Sequence, residues 1–167
     1  MTANTVKYEG ALSQDVRTAI NAGIGDVALC TTAFTTSSNT TLANVEGLVT
    51  GTLVPGTYEF EIRLITNAGG SGGVKAALKQ GTAGMLTAIS ATVEGNTASA
   101  IAVTTFTTAT DAASMIAATT AYLAVNVKGV AVIGLPGTLQ VQVAQNASNA
   151  TATTVALRSL MRFKRIS

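Results

Sequence analysis

The clearest hydrophobic pattern in the chain has a period of two. Tyr58, Phe60, Ile62 and Leu64 alternate with Glu59, Glu61 and Arg63. Successive side chains of a strand point to opposite faces, so this pattern predicts a strand with one buried side and one wet side. Pro55 and Gly56 ahead of it mark a turn. Leu123, Val125 and Val127 alternate in the same way with Ala124, Asn126 and Lys128, and Leu139, Val141 and Val143 with Thr138, Gln140 and Gln142. The connection around Leu135, Pro136 and Gly137 predicts a hairpin between these two runs. Near the end, Leu157, Met161 and Phe163 oppose Arg158, Arg162 and Lys164.

Further strands are predicted over Val27 to Phe34, Val45 to Leu53, Val74 to Lys79, Leu86 to Val93 and Ile101 to Thr107. Two segments read differently. Ser13 to Gly23 predicts a short helix: Ser13 is the N-cap, Asp15 sits in the first turn, Val16, Ala19 and Ile20 share a face, and Gly23 ends it. The alanine-rich piece from Asp111 to Thr120 predicts a short helix or helical turn. The whole predicts an all-β chain of about eight or nine strands, an antiparallel β-sandwich, most simply a jelly roll. Residues 1–25 form an N-terminal helical arm and 26–167 the sandwich domain.

Composition agrees with this and narrows the chemistry. The 167 residues include 28 threonines and 29 alanines but no histidine, no tryptophan and one cysteine. Threonine suits a pleated, half-solvated surface. Without histidine there is no Ser-His-Asp arrangement, and one cysteine provides neither a disulfide framework nor a Cys-based zinc site. Cys30 lies in an alternating apolar stretch and reads as an inert core thiol. No catalytic, cofactor-binding or metal-binding residue is assigned, and the chain is expected not to be an enzyme and to need no cofactor.

Three weaker motifs are present. The glycines around Ser71, with Lys75, resemble a phosphate loop, but Val74 precedes the lysine, Ala76 follows it, and strand comes next. A flexible hairpin tip is the expectation there. Glu59 and Glu61 are a close acidic pair on one strand face, the spacing of a cation site or a glycosidase pair, with Arg63 placed to neutralise them. Asn39, Asn146 and Asn149 match the N-glycosylation pattern, as a chain rich in Asn, Ser and Thr will by composition alone.

The net charge of +2 is small, but no acidic residue follows Asp111 while Lys128, Arg158, Arg162, Lys164 and Arg165 do. That distribution fits either the solvated face of a final strand or a surface docking on an acidic partner. With only three tyrosines and four phenylalanines in the chain, nucleic acid is not an expected partner. The uncharged run from Gly129 to Leu157 contains Pro136 and several Gln and Asn residues, which argues against a membrane span; no signal peptide is legible at the start.

Two stretches carry a family resemblance. Residues 44–64 combine Val45, Gly47 and Leu48 with a turn at Gly56, Thr57, Tyr58 and Phe60. Residues 127–167 combine a glycine-turn hairpin, Ala144, Gln145 and Asn146, a threonine-rich loop and a last strand through Arg162, Arg165 and Ile166. Together they resemble jelly-roll domains of tailed-bacteriophage virion proteins. The resemblance implies a homotrimer of the tumour-necrosis-factor-like type, used as a capsid decoration (cement) protein or a fibre domain. The expected partner is the major capsid protein, and the expected location the virion surface after synthesis in the bacterial cytoplasm. A receptor-binding fibre or spike tip is the second reading. Where the family often has Gly-Ser, this chain has Arg158 and Ser159. The arm, residues 1–25, is the expected anchor to the shell.

Overall fold

The computed structural model describes residues 25–68, 72–96, 101–106, 112–118 and 124–167. Among the described residues there are twelve strands and no helix. They are β1 (Asp26–Leu29), β2 (Phe34–Thr36), β3 (Ala43–Val49), β4 (Gly56–Ala68), β5 (Val74–Gln80), β6 (Leu86–Asn96), β7 (Ile101–Phe106), β8 (Ala112–Ala118), β9 (Ala124–Ile133), β10 (Leu139–Ala144), β11 (Thr153–Val155) and β12 (Leu160–Arg165).

The pairing is nested. β1 pairs with β12, β3 with β10, β4 with β9 and β5 with β8, all antiparallel. This is one long hairpin in which strands farthest apart in sequence pair first. It is folded over on itself, because β12 also pairs with β4 and β10 with β5. Two sheets result, one ordered β1-β12-β4-β9-β6-β7 and the other β3-β10-β5-β8. The β6–β7 hairpin extends the large sheet beyond β9, and the short strands β2 and β11 add to the far end of β4. The arrangement is β-sandwich-like, with a single apolar core between the sheets.

The period-two pattern explains the core. Tyr58, Phe60, Ile62 and Leu64 of β4 are buried, as expected, and meet Met161 and Phe163 of β12 and Val125, Val127, Ala131 and Ile133 of β9. Phe60 and Phe163 are cross-strand partners and stack with ring centroids 5.1 Å apart. The small sheet contributes Val45, Leu48, Leu78, Leu139, Val141 and Val143. Gly129 stands opposite both Phe60 and Ala91, and a Cβ there would overlap the Ser90 carbonyl and the Ala91 methyl. A side chain at 129 would therefore push β6 off β9.

Several expectations need correction. The segment from Asp111 to Thr120 is not helical: Ala112–Ala118 forms β8 on the edge of β5. Alanine's helix preference is a weak prior, and an unpaired strand edge overrides it. The runs ending at Lys128 and starting at Leu139 are not a hairpin. β9 and β10 belong to different sheets, and the connection crosses between them, fixed by Leu53 and Gly137 bonding each other's backbones. The stretch from Val27 to Phe34 is two strands, with Cys30 N donating to the Ser159 carbonyl where β1 ends. Leu157 does not share the buried face; it is 52% exposed in the turn before β12. Residues 1–24, which carry the predicted helix and nearly all of the arm, lie outside the described residues.

Candidate interaction surface

The two sheets differ on the sides they turn away from the core. Among the described residues, the outer side of the large sheet carries most of the exposed large apolar side chains: Val27 and Leu29 on β1, Ile65 on β4, Val130 and Val132 on β9, and Ile166 just after β12. Between these apolar groups runs a charged band. Glu61 is the cross-strand partner of Arg162 on one side and of Lys128 on the other, and Glu59 is that of Lys164.

Glu61 is the centre of the band. Its Oε2 accepts from Arg162 Nη2 at 3.3 Å, and its Oε1 lies 3.7 Å from Arg63 Nη2 and 3.9 Å from Lys128 Nζ. Three cations therefore share one carboxylate. The Glu61 side chain is 21% exposed, against 54% for Arg63, 67% for Lys128 and 45% for Arg162. The cations stand above the carboxylate and face outward. Exposed pairs of this kind add little stability, so what the band supplies is a surface of set charge. A groove of about 340 Å³ runs beside it, lined by Glu59, Phe60, Lys128, Val130, Lys164 and Ile166. On β9, Asn126 Oδ1 is buried with no hydrogen-bond partner, between Arg63 of β4 and Glu94 of β6.

This geometry speaks against the cation-binding reading of the acidic pair. Three cations within 3.9 Å already neutralise the Glu61 carboxylate and would repel an incoming metal ion. The phosphate-loop reading also fails. Lys75 lies on β5 and its Nζ donates to the Thr40 carbonyl at 2.6 Å, and no helix follows. Residues 69–71 lie outside the described residues, but Gly72 and Gly73 are not a free hairpin tip. Both are buried; the Gly72 carbonyl accepts from Asn146 and Ala147, and the Gly73 carbonyl from Thr153 Oγ1. Cys30 is buried, its thiol donates to the Thr32 carbonyl at 3.1 Å, and burial pushes its pKa up. A thiol so placed is a poor nucleophile.

One structurally important residue escaped the sequence reading. Gln145 is fully buried at the end of β10. Its Oε1 accepts from Asn39 N at 3.3 Å and Asn149 N at 3.1 Å, while its Nε2 donates to the Thr151 carbonyl at 2.7 Å. One amide thus ties the loop before β3 to the loop before β11. Its only signal in the sequence was its place in the Ala144, Gln145, Asn146 motif. Ser159 acts similarly: its Oγ donates to the Ala156 carbonyl and accepts from Ile65 N, both at 2.9 Å.

No family model matches the chain, and neither a curated protein nor a solved structure matches it significantly.

Proposed function

We propose that this chain is a structural virion protein of a tailed bacteriophage, a jelly-roll subunit that assembles as a homotrimer and decorates and stabilises the capsid without catalysis. The observation that carries the reading is the nested pairing. A long hairpin whose strands pair first with last and then wrap into two sheets is the plan of a jelly roll, with β6–β7 as an added hairpin. The two stretches that resemble phage virion domains fall on partners in this plan: 44–64 supplies most of β3 and the core half of β4, and 127–167 supplies most of β9 with β10 and β12.

Trimerisation is part of the proposal. Val27 and Leu29 leave the edge strand β1 with half-exposed apolar side chains, and closed symmetry would cover them. The test is to add the purified chain to capsid shells of the phage that carries the gene, stripped of it beforehand. Co-sedimentation at a fixed stoichiometry and three-fold density in a cryo-EM map are expected. Binding to host cells with none to shells would overturn decoration in favour of a receptor-binding tip.

A further inference from the structure

We infer that the outer face of the large sheet is a docking surface for an acidic protein segment, whose carboxylates pair with Lys128, Arg162, Arg63 and Lys164 while its apolar side chains cover Val130 and Ile166. Charge complementarity on an exposed face of mixed charged and apolar groups selects this partner. On β4, β9 and β12 these four cations face only Glu59 and Glu61. The next carboxylate outward, Glu94, lies on β6 with Asn126 between it and Arg63. At 3.3–3.9 Å from three cations, Glu61 holds them side by side but leaves most of their N–H donors to solvent. An incoming carboxylate meets cations that are already gathered, which lowers the cost of ordering them. The groove beside them offers Val130, 41% exposed, and Ile166, 54% exposed, to an apolar neighbour. A second copy docked face to face would set cation cluster on cation cluster, so the charge pattern selects a different, acidic partner.

The identity of that partner as the capsid shell rests on the decoration reading; the chemistry of the face does not, and the experiment separates them. The whole chain is titrated calorimetrically with a short poly-L-glutamate and, in parallel, mixed with stripped shells. Binding of poly-L-glutamate should weaken about tenfold or more in Lys128→Gln/Arg162→Gln, and with rising salt, but be unchanged in Lys79→Gln, whose lysine is exposed on the small sheet. Circular dichroism confirms that each variant is folded. No binding, equal losses in both variants, or tighter binding to heparin than to poly-L-glutamate would each overturn the proposal. So would self-association that the double variant abolishes, since the face would then be a contact between copies. Shells that bind the double variant as well as the parent refute this face but leave decoration standing. Shells that bind neither, while poly-L-glutamate binding holds, refute decoration and support the face.

Discussion

Neighbouring residues on β4 live in opposite environments. Phe60 is 2% exposed and stacked on Phe163, while Glu61, one residue on, reaches out to three exposed cations. Both make cross-strand contacts to β9 and β12, so the number of partners is similar. What differs is the solvent. Between the sheets a contact replaces water; on the outer face it competes with water. Stability should therefore follow the inner face and recognition the outer one. The largest test is Phe60→Ala, which removes a ring from a packed core and should cost about 3–5 kcal/mol in urea unfolding. A loss no larger than that of an outer-face substitution would break the comparison.

A second test sharpens it at the end of the sandwich, where burial and polarity coincide. Gln145→Leu keeps the volume but leaves the Asn39 and Asn149 amides and the Thr151 carbonyl without the partner they have inside the protein. The three hydrogen bonds are part-buried, and losing them together should cost about 1–3 kcal/mol. Faster hydrogen exchange at Asn39 and Asn149, ahead of the core strands, is the accompanying sign.

These two residues also mark how much the sequence disclosed. Phe60 was legible because alternation along one strand reports which face is buried, whatever the strand's neighbours are. The same alternation does not say which strands are neighbours. The runs around Val127 and Val141 looked like a hairpin for that reason, although they pair with β4 and β5 in different sheets. In β8 the composition was misleading, since alanine favours a helix locally and only the free edge of β5 makes it a strand. Gln145 gave little signal, because a glutamine that ties distant loops looks like any polar residue until the loops are brought together. The pairing of Glu61 with Arg63 was visible along the strand; Lys128 and Arg162 joined it only through the register.

A smaller effect concerns the turn before β12. Arg158 has φ of 70°, the left-handed region that costs a side-chain-bearing residue about 1–2 kcal/mol and glycine nothing. It is also the position at which the resembling domains often carry glycine. Arg158→Gly should stabilise the chain, by about 0.5–1 kcal/mol once the greater freedom of glycine in the unfolded chain is subtracted. A rise of about 2 °C in the unfolding midpoint is the expected reading. A fall would show that the arginine makes a contact worth more than the strain.

The smallest expected change is the most discriminating. Glu61→Gln removes the carboxylate around which Arg63, Lys128 and Arg162 gather. On a wet face those cations re-solvate, and the loss should stay under about 0.5 kcal/mol and shrink further with added salt. The variant also exposes three cations without their counter-charge, so its affinity for poly-L-glutamate should rise while its stability barely moves. Measured across protein concentration, the result says what covers the face. A stability loss of several kcal/mol that appears only at concentrations where copies associate would mean that Glu61 is buried in the assembly, because breaking a buried pair is costly where breaking an exposed one is not. The outer face would then belong to the copy–copy contact, and the comparison between the two faces of β4 would hold for the isolated subunit alone.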